Sequence, residues 1–246
     1  MRFISAIQFH AYKFYVNSYV DLKSMIGQPW KKVETIWLPL LPEIGFNTVR
    51  WIVNGRYEEG EIAIVKQTLA ADDIVLEIGT GLGFVSSYCS AKIGSDRVFT
   101  FEGNPLNVAM ANKVFEKNQV SPKLKNAVLG MGSGMVDFPV DEQHRLGSSM
   151  LREGKMRPVP LVDLNETIRV LQPTYLVMDI EGAEYNILKM ISMQSIVKLQ
   201  FELHPAVLGK AKCNEIFMIL KAGGFMMDDK LCHGNNFYCY KTRKEN

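Results

Sequence analysis

From residue 61 onward, strand patterns and helix patterns alternate along this chain, and no other feature constrains its fold as strongly. Five strand-like runs are followed by a closing pair, and helical periods separate most of them. The runs cover residues 74–78, 97–102, 123–130, 175–180 and 196–203, with the closing pair at 225–227 and 236–240. Because parallel strands need long crossovers, usually helices, the pattern predicts a doubly wound α/β fold. We expect a mostly parallel, seven-stranded sheet with helices on both faces and an antiparallel hairpin at its end.

Residues 1–60 differ in composition from the rest of the chain. They carry all three tryptophans, Trp30, Trp37 and Trp51, beside many other aromatic residues. Two interpretations are open: a largely helical layer that covers one sheet edge, or a lid whose aromatic rings line a substrate pocket. We therefore divide the chain into an N-terminal extension or lid, 1–60, and one α/β domain, 61–246.

The composition is that of an ordinary globular protein, with 47% hydrophobic and 22% charged residues. The net charge is +2, with basic and acidic residues interspersed, and this gives no electrostatic case for nucleic acid as a partner. Four cysteines occur without a C-x-x-C pair, which favours reduced thiols and a cytoplasmic location. No uninterrupted apolar run reaches transmembrane length, so we predict no membrane partner. The sequence leaves the oligomeric state open, and a homodimer is compatible with it.

The first predicted strand runs directly into three glycines at alternate positions, Gly79, Gly81 and Gly83. Glycine at such a turn adopts positive φ and lets backbone N–H groups approach a ligand that a Cβ atom would hold away. The pattern is that of a nucleotide-cofactor loop. A dinucleotide fingerprint would place its third glycine at position 84, where this chain has phenylalanine. Alternate glycines preceded by an acid, here Glu77, are instead typical of S-adenosylmethionine sites.

Glu102 ends the second predicted strand, 23 positions after Gly79. A carboxylate there can accept hydrogen bonds from both hydroxyls of a ribose, which would support an adenosine ligand. The alternative is a surface carboxylate that caps the next turn. With a ribose at Glu102, we expect Gly103 and Asn104 to turn the chain beneath the base and Ala127 to lie close to the adenine edge.

Carboxylates also crowd the segment that follows the fourth predicted strand, since Asp179, Glu181 and Glu184 lie there. Ligands of doubly wound sheets bind at the carboxyl ends of the strands, where this segment begins. Glu181 and Glu184 suit the first turn of a helix and are open to interpretation as capping residues. Asp179 ends a central strand, where a buried carboxylate is costly without a partner such as a sulphonium or ammonium group.

Six segments, in order, make this chain resemble the FkbM-type family of S-adenosylmethionine-dependent methyltransferases. They are Tyr57-Glu58, LEIGTGLG (76–83), VFTFEGNPLN (98–107), VPLVDL (159–164), MDIEGAE (178–184) and FELHP (201–205). The resemblance spans about residues 56–240, and MDIEGAE is its specific part. The family usually has Asp-x-Gly-Ala-Asn where this chain has Glu77-Ile-Gly-Thr80-Gly81, and proline where it has Gly103.

The resemblance implies a Rossmann-like methyltransferase sheet, S-adenosylmethionine as the cofactor and transfer of its methyl group. The implied acceptor is a hydroxyl of a small molecule such as a sugar or natural product. Together with the spacing arguments above, it gives the cofactor-binding residues as Glu58, Glu77, Gly79, Thr80, Gly81, Gly83, Glu102, Gly103, Asn104, Ala127 and Asp179.

Methyl transfer requires an acceptor oxygen in line with the methyl–sulfur bond, and a base that removes the hydroxyl proton adds rate. His204 is the first candidate base, because its ordinary pKa permits a neutral imidazole at pH 7. The alternative role for His204 is a cap ahead of Pro205. Glu181 is the second candidate, and Asp179 completes the predicted catalytic set. Asp179 and Glu202 could instead hold a divalent cation that orients the acceptor, but we do not favour this and predict no metal site.

Residues 141–157 have no convincing apolar period, and we predict a long loop. It is interpreted either as a gate for the acceptor or as a surface segment. Arg145, Arg152 and Arg157 would suit an anionic substrate if they converge.

Two other functions are considered. Enzymes that methylate amino nitrogens of nucleic acid or protein place Asn/Asp-Pro-Pro-aromatic after the fourth strand. This chain has Asp179-Ile-Glu-Gly there, without a ring to stack on a flipped base. A non-catalytic S-adenosylmethionine-binding protein has no need of carboxylates around His204, which argues weakly against that alternative.

Overall fold

The computed structural model describes residues 6–140 and 154–242. These residues form two compact units that divide between Tyr57 and Glu58. Residues 141–153, which are most of the predicted loop and include Arg145 and Arg152, lie outside the described residues.

The first unit contains two helices and a hairpin. In chain order these are α1 Ala6–Met25, strands β1 Trp30–Val33 and β2 Ile36–Pro39, a short 3-10 helix Pro42–Ile44, and α2 Phe46–Val53. β1 and β2 pair antiparallel. Ile36 and Leu38 are buried while Trp37 between them is 38% exposed, and this alternation with a period of two explains why the segment is a strand. The lid interpretation of residues 1–60 stays a prediction.

The second unit contains the remaining elements. Its strands are β3 Val75–Ile78, β4 Val98–Glu102, β5 Lys123–Asn126, β6 Val128–Gly130, β7 Gly134–Val140, β8 Lys155–Asp163, β9 Tyr175–Met178, β10 Lys198–Glu202, β11 Met226–Met227 and β12 Asn236–Tyr240. Its α-helices are α3 Glu59–Thr68, α4 Phe84–Ile93, α5 Pro105–Asn118, α6 Leu164–Leu171, α7 Glu184–Met190 and α8 Pro205–Ala222.

Seven of these strands form one sheet in the order β5-β4-β3-β9-β10-β12-β11. The first five are parallel to one another, and β12 pairs antiparallel with both β10 and β11. The predicted fold class, a mostly parallel seven-stranded α/β sheet flanked by helices, is therefore confirmed. The strand order reverses beside β3, since β4 continues to one side and β9 begins the other. Ligands bind at such a reversal in doubly wound sheets.

The central strands are buried on both faces. All four residues of β3 and of β9 are buried, as expected for parallel strands covered by helices. Ile78 of β3 is level with Phe101 of β4 and with Met178 of β9. The segments that follow these three strands consequently leave the sheet at one edge and at one level.

Two sequence predictions were wrong in their boundaries. The third strand, predicted over 123–130, divides at Ala127 into β5 of the main sheet and β6 of a separate three-stranded sheet, β6-β8-β7. The last bond to β4 is donated by Ala127 N–H to the carbonyl of Glu102 (3.1 Å), and β6 then pairs with β8. Residues 155–157 belong to β8 and not to the predicted loop, and Arg157 pairs with Phe138 of β7.

The helices largely follow their predicted signals. Gly94 ends α4, and Asn104 with Pro105 begins α5, as the sequence indicates. Helix α8 begins at Pro205, nine residues before the predicted start at residue 214, with a kink at Gly209 (φ 76°). Proline is favoured in a first helical turn, where its missing N–H costs no hydrogen bond. Among the described helices, none combines the length and apolar character needed to cross a membrane.

Candidate functional site

The loop between β3 and α4 contains the three predicted glycines, and all three have positive φ: 92° at Gly79, 54° at Gly81 and 77° at Gly83. Internal packing accounts for two of them. A Cβ atom at Gly79 would lie 1.9 Å from the carbonyl oxygen of Asp179, and one at Gly83 would lie 2.5 Å from the Phe115 ring. These glycines therefore allow the loop to pack against the neighbouring strand end and against α5, which the sequence argument about a ligand did not anticipate.

Glu102 connects this loop to the turn that follows β4. Its Oε2 accepts a hydrogen bond from Gly81 N–H (3.0 Å), and its Oε1 accepts one from Asn104 N–H (2.7 Å). The residue is only 6% exposed, and burial raises the pKa of its carboxyl to about 7 despite these hydrogen bonds. Of the alternative interpretation, a surface carboxylate that caps the next turn, only one part holds: Glu102 bonds that turn through Asn104 N–H, but it is buried.

The other residues of this turn pack tightly around Glu102. The Asn104 side chain accepts from Leu106 N–H (2.9 Å) and caps α5. A Cβ atom at Gly103 would lie 2.7 Å from the Phe138 ring, which explains glycine at that position. Ala127 is buried and donates its N–H to the Glu102 carbonyl. The structure thus brings the predicted residues 102–104 and 127 together.

Glu77 and Thr80 form a polar cluster with Thr100 beneath the loop. The Thr100 hydroxyl donates to the Glu77 carboxylate and also bonds the Thr80 hydroxyl. Glu77 is buried, and this burial raises the pKa of its carboxyl to about 7. Its described hydrogen-bond partner belongs to the adjacent strand, so the side chain braces the loop from below.

A second group of acidic side chains lies where β9 and β10 end. Asp179 and Glu181 follow β9, Glu202 ends β10, and Glu61 approaches from α3. Carboxylate oxygens of Glu61, Asp179 and Glu202 lie within 4.8 Å of one another. Burial, followed by the charges of neighbouring carboxylates, raises the pKa of both Glu61 and Asp179 well above its ordinary value. Glu58, at the start of α3, is one of the residues whose negative charge contributes.

His204, which follows β10, is held by a buried carboxylate that sequence reasoning did not assign to it. Its Nδ1 lies 2.7 Å from Oε1 of Glu184, which is fully buried. Its Nε2 lies 3.4 Å from Glu181 Oε2 and 3.9 Å from Asp179 Oδ1. Glu184 Oε1 also accepts from Gly182 N–H (2.8 Å), so it bonds the turn before α7 as well as the imidazole.

The surroundings of His204 favour its charged form. Burial lowers the pKa of the imidazole, but the Glu184 hydrogen bond and the charges of Asp179, Glu184 and Glu181 raise it to about 9 overall. The structure therefore differs from the expectation of a neutral imidazole at pH 7. The sequence showed each of these residues at a strand end, but not that Glu184 would reach the ring.

Asp179 Oδ1 is buried and accepts no hydrogen bond within the described part of the chain. Such an oxygen is uncommon in a folded protein, because a lost hydrogen bond is not replaced by water. A positively charged ligand group or ion at this oxygen would remove that cost. The observation fits the cationic partner that the sequence predicts for Asp179.

Of the known proteins compared with this chain, only solved structures match it. No family model matches it, and no curated protein matches it. Solved structures do match. A methyltransferase from Pyrococcus furiosus has 14% identity and a TM-score of 0.47, over 94% of each chain. Magnesium protoporphyrin IX methyltransferase from Synechocystis PCC 6803, solved with bound S-adenosylmethionine, has 12% identity and a TM-score of 0.47, over 81% of this chain and 85% of that one.

A third structure is the tRNA (uracil-54, C5)-methyltransferase of Pyrococcus abyssi in complex with S-adenosyl-L-homocysteine. It has 12% identity and a TM-score of 0.49, over 86% of this chain and 42% of that one. All three TM-scores are below 0.5, so the functional conclusion must depend on the residues of this chain.

Proposed function

We propose that this protein is an S-adenosylmethionine-dependent methyltransferase. The observation that carries the proposal is the bond between the glycine loop after β3 and the acid after β4, Gly81 N–H to Glu102 Oε2 at 3.0 Å. It places an inward-held carboxylate beside a loop of positive φ at the strand-order reversal of the sheet. A carboxylate in that position can accept the two ribose hydroxyls of an adenosine.

The residues at this edge fit the cofactor in three parts. Glu102 would hold the ribose, and the turn at 103–104 with Ala127 would surround the base. The unpartnered Oδ1 of Asp179 would face the positively charged methionine end. S-adenosylmethionine supplies an electrophilic methyl group when bound, and the protein has to position an acceptor against it.

We further propose that the acceptor is a hydroxyl of a small molecule, as the FkbM-type resemblance implies. Glu181 and His204 are the residues placed to take its proton, since their side chains lie 3.4 Å apart. Because the imidazole is charged near pH 7, Glu181 is the member of the pair that would accept the proton. The charged His204 would hold the Glu181 carboxylate in place through their 3.4 Å contact. The bond between the hydroxyl oxygen and the methyl carbon would form as the sulfur–methyl bond breaks, which would leave S-adenosyl-L-homocysteine as the product and the hydroxyl proton on Glu181.

Calorimetric titration of the full chain with S-adenosyl-L-homocysteine tests the cofactor. We expect binding by the unaltered protein and an affinity loss of about tenfold or more in Glu102→Gln, because hydrogen bonds to a charged acceptor contribute about 1.5–3 kcal/mol each. Glu116→Gln, at an exposed position on α5, is the matched control and should bind as the unaltered protein does.

Failure of both S-adenosylmethionine and its demethylated product to bind a folded sample would remove the basis of the proposal. Circular dichroism of each variant separates a lost ligand contact from a lost fold. Binding without turnover on any hydroxyl compound would favour the non-catalytic alternative.

A further inference from the structure

Three carboxylates from three separate elements converge beside the proposed cofactor site. Glu61 comes from α3, Asp179 follows β9 and Glu202 ends β10. One oxygen from each lies within 4.8 Å of the other two. Oxygens that share a Mg²⁺ or Ca²⁺ ion are separated by up to about 4–5 Å, because each lies about 2.0–2.6 Å from the metal. The spacing of the three carboxylates therefore suits one such ion.

Glu61 gives a second reason to expect a ligand at this place. It is only 7% exposed, and its neighbours on α3, Ile62, Ile64 and Val65, are buried apolar residues. Its backbone carbonyl accepts a hydrogen bond from Gln200 Nε2 (3.1 Å), which fixes this turn of the helix against β10. Within residues 6–140 and 154–242, no donor reaches its carboxylate. A buried carboxylate without a partner is costly, so the position of Glu61 beside Asp179 and Glu202 favours a cation at this place.

Within the described residues, His204 neutralises these charges only in part. No lysine or arginine there forms an ion pair with Glu61, Asp179 or Glu202. The nearest cationic group is His204, and its Nδ1 is already taken by Glu184 while its Nε2 stays 3.9 Å from Asp179. Three carboxylates this close repel one another strongly in a partly buried site.

We propose that Glu61, Asp179 and Glu202 bind one divalent cation, with one carboxylate oxygen of Asp179 on the ion and the other left for the methionine end of the cofactor. A ligand set made only of carboxylate oxygens selects hard ions, Mg²⁺, Mn²⁺ or Ca²⁺, over ions that prefer nitrogen or sulfur. Three protein ligands leave coordination positions for water or for an oxygen of the acceptor. In a methyltransferase of the kind proposed above, on which this role depends, the ion would orient the acceptor hydroxyl and lower its pKa.

A second set of potential metal ligands shares Asp179 with the first. It consists of Asp179, Glu181 and His204, and one ligand atom of each lies within 4.8 Å of the other two. We assign the ion to the all-carboxylate set because His204 and Glu181 already face each other at 3.4 Å and His204 is bonded to Glu184. Glu61 has no such alternative contact.

Mn²⁺ serves as the probe, followed by electron paramagnetic resonance on the full chain without cofactor, with Mg²⁺ and Ca²⁺ as competitors. We expect one Mn²⁺ per chain and at least about a tenfold loss of affinity in Glu61→Gln. Glu59→Gln, an exposed change on the same helix, should bind as the unaltered protein does. His204→Asn should stay within about threefold of it.

The thermal midpoint of Glu61→Gln in EDTA is the second measurement. It should equal or exceed that of the unaltered protein, because the substitution removes an unpaired buried charge; a purely structural role for Glu61 would lower it. The proposal is overturned if the unaltered protein binds no Mn²⁺ at millimolar concentration or if Glu61→Gln binds undiminished. Loss in His204→Asn with retention in Glu61→Gln would move the ion to the competing set. The Mn²⁺ measurements contain no cofactor. Their outcomes are therefore independent of whether the protein binds S-adenosyl-L-homocysteine.

Discussion

At the scale of single residues, the conformation of one glycine and the charge state of a few carboxylates define the proposed site. Gly79 leaves β3 in a backbone conformation that side chains rarely adopt, directly against the Asp179 carbonyl. This contact fixes the distance between the nucleotide loop and the acidic cluster. Both proposed sites therefore depend on a residue that has no side chain.

Gly79→Ala should be far more destabilising than Gly94→Ala. The two glycines have almost the same positive φ, 92° and 90°, a region that alanine rarely adopts, so both substitutions carry backbone strain of about 1–3 kcal/mol. An added Cβ meets nothing within 4 Å at Gly94 but lies 1.9 Å from backbone oxygen at Gly79. Urea denaturation should show an additional loss of roughly 2 kcal/mol or more in Gly79→Ala. Equal losses in the two variants would mean that the loop relaxes away from β9 at little cost.

Site residues that belong to a local sequence pattern could be predicted from the sequence. Residues whose role depends on contacts between distant parts of the chain could not. The glycine loop and Glu102 could be predicted because a strand, a turn and an acid follow one another at fixed spacings. The Glu184–His204 pair could not, since its members are separated along the chain and meet only because β9 and β10 are adjacent. Glu61 was missed for a different reason. An acid in an amphipathic helix is ordinarily exposed, so nothing in the sequence marked this one as buried.

At the scale of secondary-structure elements, helix starts position the site. Helices α5, α7 and α8 all begin at the carboxyl edge of the sheet, after β4, β9 and β10 respectively. Their first turns carry the capping or first-turn residues Asn104 and Glu184, and His204 immediately precedes Pro205. The helix starts thus bring polar groups together at one edge of the sheet.

Asn104→Ala should lower the free energy of unfolding by about 1 kcal/mol, since it removes the side-chain acceptor for Leu106 N–H at the start of α5. Asn112→Ala, at an exposed position within the same helix, should have little effect. Asn104→Asp retains a capping oxygen and should recover most of the loss in a denaturation experiment. If Asn104→Asp is stable but no longer binds S-adenosyl-L-homocysteine, the Asn104 amide contacts the cofactor in addition to capping the helix.

The small sheet shows what strand patterns alone leave out. Strand β8 reads KMRPVPLVD, where charges and two prolines interrupt any apolar period, so only pairing with β7 and β6 makes it a strand. Its formation is decided by tertiary contacts rather than by local propensity.

At the scale of the whole molecule, buried acids make stability depend on pH in an unusual direction. Glu77 and Glu102 both have a pKa raised to about 7, chiefly by burial. A carboxyl whose pKa is higher in the folded than in the unfolded chain binds more protons when folded between those two values. Its contribution to stability is complete below about pH 4.5 and is lost as pH rises through about 7.

Glu102→Gln should therefore gain stability relative to the unaltered protein as pH rises. We expect the difference in unfolding free energy between the two proteins to shift by at most about 3 kcal/mol between pH 5 and pH 8 in favour of the variant. Thermal melts at four pH values in that range, recorded in EDTA, give this difference. A difference that does not change with pH would show that the Glu102 carboxyl is already ionised throughout.

Strand β12 occupies an interior position of the sheet although it follows the six other strands of that sheet in the chain. It separates β10 from β11, so β10 has no partner on that side until residues 236–240 have been synthesised. Until β12 pairs with it during folding, the β10 edge beside Glu202 and His204 has unpaired backbone groups on that side, the condition in which strand edges pair with other chains. Before β12 pairs with β10, the negative charges of the residues that we assign to a metal ion would repel such chains from this edge.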